Sequence, residues 1–256
     1  SYVMGKEVLF LDELKSVRNK NTAIFLGCGP SIKDLNSSLV DKINKLDIWA
    51  SNNFLLNEDI TSDFHHMEII EGRNGPLFDT LRQVRKDSYK DITWLMDKKV
   101  MNSIEQYLHP NWKNKIYLYN KIFRHSDNGL YKPSLDDNCQ LSCSTPECHA
   151  NLTVIMDMMY KVGYKKVYFL GVDLYTSSYF WTGDKRYQKY NIPETMYVEE
   201  GVKHNGKHFH STHKTANFIK EFSEHNNIEV VNLSKNSLLK DFIPTITYDE
   251  FLKENI

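Results

Sequence analysis

The chain has 256 residues, 41% of them hydrophobic and 25% charged, with a formal net charge of -1. Such a composition belongs to a globular protein able to bury a sizeable core, and the near-neutral balance excludes the basic footprint of a nucleic-acid binder. It holds no apolar run of about 18 residues that could span a membrane. Glu7, Asp12 and Glu13 interrupt the first apolar stretch, so no secretory leader is expected. Four cysteines, at Cys28, Cys139, Cys143 and Cys148, are too few for a disulfide framework, and a reducing, cytoplasmic setting is expected.

In chain order, Val8–Lys20 reads as an amphipathic leading helix, followed by a strand over Thr22–Leu26. That strand breaks into Gly27-Cys28-Gly29-Pro30-Ser31 and then reads as a helix. Main-chain N–H groups and the positive end of a helix dipole at such a spot suit a phosphate, although a tight turn without ligand has the same pattern. Pro30 fits a first helical turn, and the Ser31 hydroxyl suits a cap or a ligand. Ile32 stands where a dinucleotide fingerprint would have its third glycine, and no Gly-Lys-Ser/Thr follows. A strand over Leu46–Ser51 ends in Asn52-Asn53, whose amides suit a base or sugar hydroxyl, or an Asx turn.

Helical patterns over Asn74–Lys90 and Lys98–Leu108 alternate with strands at Asp91–Met96 and Lys115–Tyr119. The Asn151–Val162 helix is apolar around most of its circumference, which predicts burial against a sheet with Met156, Met158 and Met159 as core filler. A strand over Lys166–Leu170 opens into Gly171-Val172-Asp173, where Asp173 could accept from ribose hydroxyls or cap the strand end. From Tyr175 to His213 periodicity stops in an aromatic, polar stretch read as a lid. A helix over Lys214–Asn226 and a strand over Ile228–Leu233 follow. The alternation predicts a single α/β domain over 1–256, Rossmann-like, with a mostly parallel sheet and flanking helices.

Two clusters could bind metal. Cys139, Cys143, Cys148 and His149 lack the paired spacing of zinc knuckles and are read as ordinary thiols. His204, His208, His210 and His213 lie without a carboxylate to orient them, so a single general base is the simpler reading. His210 is chosen because Ser211-Thr212 resembles a helix cap behind it; a surface-loop histidine is the alternative.

Read in order, Leu26-Gly-Cys-Gly-Pro-Ser-Ile32, Ser51-Asn52-Asn53-Phe54, Gly163 through Tyr175 with Tyr179, His210-Ser211, and Asn236-Ser-Leu-Leu239 with Phe242 form a pattern that covers nearly the whole chain. It resembles the bacterial sialyltransferases of the Campylobacter type, glycosyltransferase family 42, and the related central domains of flagellin glycosyltransferases. The resemblance implies a GT-A-like, metal-independent, inverting transferase with a CMP-linked nonulosonic acid as donor. It places Gly27, Cys28, Gly29, Pro30, Ser31, Asn52, Asn53, Gly171, Asp173 and Ser211 at the donor, makes Tyr175 and Tyr179 phosphate ligands, and makes His210 the base. No Asp-x-Asp motif occurs at a strand end.

The family's turn usually carries Asn at the place of Cys28, and an arginine expected before the 151–162 helix is replaced by Cys148 or His149. Sialic acid, Kdo and pseudaminic acid therefore all stay open as the transferred sugar. The expected partners are the CMP-sugar and an acceptor glycan of a surface polysaccharide or lipooligosaccharide. No nucleic acid and no cofactor are expected, while homo-oligomers and attachment at the inner face of the cytoplasmic membrane stay open. Rival readings are a non-catalytic nucleotide- or glycan-binding module, a transferase using another nucleotide sugar, and a metal hydrolase built on the histidines.

Overall fold

A computed structural model describes residues 2–3, 6–68, 87–99, 108, 114–123, 144–147, 151–175, 178–190 and 207–255; at 2–3, 6, 11, 121–123, 144–147 and 207–211 it describes the main chain alone. The helices expected at Asn74–Lys90 and Lys98–Leu108 lie almost wholly outside these residues, as do Cys139, Cys143, Cys148 and His149.

The strands are β1 Tyr2–Val3, β2 Lys6–Leu9, β3 Thr22–Leu26, β4 Asp47–Ser51, β5 Phe64–Met67, β6 Thr93–Asp97, β7 Lys115–Phe123, β8 Ser144–Glu147, β9 Lys166–Leu170 and β10 Glu229–Asn232. One sheet joins them in the order β1-β2-β7-β6-β5-β4-β3-β9-β10, with β8 paired to β7. From β2 to β10 every pairing along this path is parallel; β1 alone is antiparallel, at the edge. The predicted α/β, Rossmann-like sheet is the observed one.

Central strands of a parallel sheet are covered on both faces and read as continuous apolar runs. Here alternation divides each run between two cores. Ile24, Leu26, Ile48, Ala50 and Leu170 face one; Ala23, Phe25, Trp49, Val167 and Phe169 face the other. Helix α1 Leu11–Ser16 supplies Leu14 to the second core, and α2 Ser37–Ile43 supplies Leu39 and Ile43 to the first. The two best-patterned helices, α3 Asn151–Val162 and α4 Lys207–Asn226, close the second core through Val154, Ile155, Ala216, Ile219 and Phe222. Phe251 of the short α5 Tyr248–Lys253 packs into the first. Met156, Met158 and Met159 are buried as predicted.

Two local readings are corrected. The leading helix expected over Val8–Lys20 is β2 followed by the six-residue α1, because Val8 and Leu9 pair with Ile116 and Tyr117 of β7. β5 escapes the apolar pattern because its centre is His65-His66. Both imidazoles are buried with hydrogen-bond partners: His65 with the Ser62 hydroxyl and the Asn52 carbonyl, His66 with the Tyr119 hydroxyl.

Candidate active site

The sheet changes winding direction at β3, with β4 on one side and β9 on the other, and the carboxyl ends of these strands form the crevice where open α/β sheets bind ligands. The turn after β3 is bonded to the turn after β9. Gly27 N–H donates to the Leu170 carbonyl and Gly29 N–H to the Gly171 carbonyl, each at 2.8 Å. Ser31 N–H donates to Asp173 Oδ2 at 3.0 Å, and Gly171 N–H donates to Ser31 Oγ at 3.1 Å. A Cβ at Gly27 would stand 2.3 Å from the Gly171 carbonyl oxygen, and one at Gly29 would stand 2.2 Å from Asp173 Oδ2.

The glycines thus serve the close approach of two strand ends. The N–H groups of Gly27, Gly29 and Ser31 are engaged in this contact, as in the tight-turn alternative, while Gly27 and Gly29 still line the cavity described below. The segment that follows, Pro30–Asp34, is one five-residue 3-10 helix with Pro30 at its start. Asp173 caps that start through Oδ2, while its buried Oδ1 has no partner. Burial pushes the Asp173 carboxyl above the usual carboxylate range, opposed by its hydrogen bonds to Ser31 and Ser234.

The β4 end is held as firmly. Asn52 adopts a left-handed φ of 48°, with its carbonyl bonded to His65 Nε2 at 3.0 Å and its Oδ1 accepting from Glu68 N–H at 2.9 Å. Asn53 is 3% exposed and its Nδ2 has no partner. Cys28 Sγ donates to the Ser51 carbonyl at 3.6 Å, and burial pushes its thiol up to about 12 against the opposing pull of the Phe54 and Asn53 N–H groups. A neutral thiol is neither a nucleophile nor a metal ligand.

The stretch expected to be an aperiodic lid is regular at both ends. Phe180 N–H donates to the Cys28 carbonyl at 3.0 Å, and Phe180, Trp181, Tyr187 and Tyr190 are buried in the first core, the last two on a 3-10 helix over Lys185–Tyr190. Helix α4 begins at Lys207, not Lys214, so positions 210 and 211 belong to its first turns while their side chains lie outside the described residues. Residues 191–206, between these two parts, also lie outside the described residues. Tyr179 stacks on Trp181 with centroids 4.5 Å apart and planes at 4°. Tyr175 follows Leu174, itself at φ 59°, and is half-exposed; burial and the nearby Asp173 and Asp34 carboxylates push its phenol up, so it stays a proton donor.

These pieces enclose a cavity of about 540 Å³. Gly27, Cys28, Gly29, Asn52, Asn53, Gly171, Asp173 and Tyr179 line it among the predicted residues; Pro30, Ser31 and Tyr175 do not. Its wall also includes Glu68, Asn151, Trp181, Thr212 and Thr215. In the sequence, Glu68 is hidden by the unrecognised β5 and Trp181 by the lid reading. Of the buried side-chain atoms left without a partner, Asn53 Nδ2, Asp173 Oδ1 and Trp181 Nε1 belong to residues of this wall. Among the described residues no group of three or more His, Cys, Asp or Glu side chains could hold a metal ion, and no helix is long and apolar enough to cross a membrane.

No family model and no curated protein sequence matches the chain. Solved structures do. A variant of the sialyltransferase CST-II in complex with CMP superposes with a TM-score of 0.54 at 17% identity, over 92% of this chain and 89% of that one. Cst-I from Campylobacter jejuni, a monofunctional α-2,3-sialyltransferase, gives 0.52 at 14% identity over 93% and 83%. CstII from Campylobacter jejuni with the substrate analogue CMP-3FNeuAc gives 0.50 at 15% identity over 92% and 88%. The fold is that of these sialyltransferases. At such identities the agreement concerns architecture, and it extends over nearly the whole of both chains.

Proposed function

We propose that the protein is a glycosyltransferase that moves a nonulosonic acid from a CMP-linked donor to a hydroxyl of an acceptor glycan, with inversion and without a metal. The observation that carries this reading is a cavity at the winding change of the sheet, lined by polar residues of the β3, β4 and β9 ends, Asn52, Asn53 and Asp173, together with Tyr179. The fold shared with CMP-bound sialyltransferases supports cytidine as the nucleotide.

In this reading the acceptor oxygen attacks the anomeric carbon as His210 takes the hydroxyl proton. The bond from that carbon to the CMP phosphate oxygen breaks, and its electron pair leaves on the phosphate. Tyr175 and Tyr179 donate hydrogen bonds to the departing phosphate, stabilising charge where it develops. Asn52, Asn53, Asp173 and Ser211 position the donor.

A thermal-shift series with CMP, UMP and GMP tests the nucleotide. At 100 times its dissociation constant, a ligand of the folded state alone adds about 2.7 kcal/mol of stability. CMP is expected to stabilise selectively, and equal stabilisation by UMP or GMP would overturn the assignment. CMP binding without CMP release from any CMP-linked sugar would favour a non-catalytic module.

A further inference from the structure

Asp173 sits between two left-handed residues, Gly171 at φ 76° and Leu174 at φ 59°, and Tyr175 follows directly. Glycine adopts that conformation freely, but in leucine it is strained and lasts only where the surroundings impose it. The turn after β10 imposes it. Ser237, wholly buried, donates its hydroxyl to the Val172 carbonyl at 2.5 Å, and Leu238 N–H donates to the Asp173 carbonyl at 3.0 Å. The same Ser237 oxygen accepts from Leu239 N–H at 3.0 Å, so the cap of the 3-10 helix over Leu238–Asp241 is also the clamp on the loop. Earlier in this turn, Ser234 Oγ lies 2.8 Å from Ser31 Oγ, which accepts from Gly171 N–H. Buried Asn232 holds Ser234 in turn, accepting its N–H at 3.1 Å and donating to its carbonyl at 2.9 Å. Neither Ser234 nor Ser237 lines the cavity.

We propose that Ser234 and Ser237 are positioning residues of the donor site: through the main chain at Val172 and Asp173, and through Ser31, they fix where Asp173 and Tyr175 stand. This rests on the reading of a CMP-linked donor, in which Asp173 meets the ribose and Tyr175 the phosphate. Peptide units are planar, so holding the carbonyls of two successive residues fixes both planes and aims the Asp173 carboxyl and the Tyr175 phenol before a ligand arrives. Such preorganisation lowers the ordering cost of binding. Without the Ser237 hydroxyl the strained Leu174 relaxes toward an ordinary conformation. Tyr175, half-exposed and outside the cavity wall, then has little packing to return it.

The test measures CMP dissociation constants and thermal midpoints for the wild type, Ser237→Ala, Ser234→Ala and Ser223→Ala. Ser223 is the control, because its hydroxyl makes a matching bond, to the Ile228 carbonyl at 2.7 Å, at the opposite end of β10. Loss of one hydrogen bond behind the loop is expected to weaken CMP about three- to tenfold in Ser237→Ala and in Ser234→Ala, while Ser223→Ala lowers the midpoint and keeps CMP within about twofold of the wild type. Should Ser237→Ala not fold, Ser234→Ala carries the test by itself, since it acts through Ser31 and leaves the Val172 bond in place. Wild-type affinity in either folded site variant, or an equal loss in Ser223→Ala, would overturn the inference alone. A wild-type protein that holds no CMP would overturn the donor reading and the inference with it.

Discussion

The Ser31 main-chain N–H reaches Asp173 Oδ2 at 3.0 Å across 142 positions of sequence, locking the turn after β3 to the turn after β9. Because burial raises the Asp173 carboxyl, the folded state binds its proton more tightly than the unfolded chain does. Stability must therefore fall as pH rises from about 4, the unfolded value, through the raised folded value. Asp63, raised for the same reason just before β5, adds a slope of the same sign. Asp173→Asn keeps an acceptor for Ser31 and removes one titration, so its stability should decline less steeply than the wild type over that range. Urea unfolding at a series of pH values measures this, and parallel slopes in the two proteins would contradict it.

Glycine is required at positions 27 and 29 by contact, not by backbone angle. Gly29→Ala places a methyl 2.2 Å from Asp173 Oδ2 and Gly27→Ala one 2.3 Å from the Gly171 carbonyl, so each should destabilise by about 1–3 kcal/mol or more as the strand ends part. Gly183, at φ 72° with nothing within 4 Å of where a methyl would stand, should cost only about 1–2 kcal/mol as alanine. Denaturant midpoints rank the three. An unaltered midpoint in Gly29→Ala would show that the turn tolerates a side chain there and that contact is not what requires the glycine.

Phe180 and Trp181 are neighbours with opposite expected behaviour. Phe180 packs against Phe54 and Tyr187 and has nothing polar to offer, so Phe180→Ala should cost about 3–5 kcal/mol of stability. Trp181→Phe keeps an aromatic face for Tyr179 and deletes an N–H that has no partner. The smaller ring covers less of the cavity wall, so it should lower CMP affinity roughly threefold, with a stability change under about 1 kcal/mol. Isothermal titration beside thermal unfolding separates the two effects, and unchanged CMP affinity would remove Trp181 from the ligand's contacts.

If His210 is the base, His210→Ala should lower turnover about a hundredfold to ten-thousandfold and leave CMP affinity nearly intact. Position 208 is the rival, because it lies four and seven residues before Thr212 and Thr215, which line the cavity from α4, and so shares their face of the helix. A collapse of turnover in His208→Ala alone would transfer the role. Activity should also survive excess EDTA, since the phenols replace a cation in this mechanism; loss on chelation with recovery on adding Mg2+ or Mn2+ would refute it.

Hydrogen exchange should divide the stretch read as a lid. Amides of 180–190 should be protected without nucleotide, because their aromatic side chains are part of the first core. Added CMP should leave them little changed and protect 191–206 if that part closes over the ligand. Rapid exchange of 180–190 in the free protein would restore the longer lid.

How far the sequence reaches is clearest at β3 and β9. Thr22–Leu26 and Lys166–Leu170 are legible to the residue, because a strand buried on both faces must be apolar throughout and glycine must end it where two strand ends touch. The purpose of those glycines is not legible. A Gly-x-Gly turn has the same local pattern whether it makes room for a phosphate or for a neighbouring strand, and the neighbour here comes from a segment 140 residues away. β5 is invisible for a related reason, since His65 and His66 look like surface residues until Ser62, Asn52 and Tyr119 satisfy them.

The α/β alternation, the order of the motifs and the buried methionine face of α3 are written in local periodicity, and the chain alone dictates them. It took the folded arrangement to establish that Asp173 caps the β3 turn, that Trp181 and Asn53 are left with idle polar atoms, and that Glu68 faces the same cavity. Hydrogen-bond satisfaction is a property of pairs, which is why no single segment reveals it. A residue's chemistry is carried by the chain, but whether that chemistry is spent or available depends on the partner that folding brings to it.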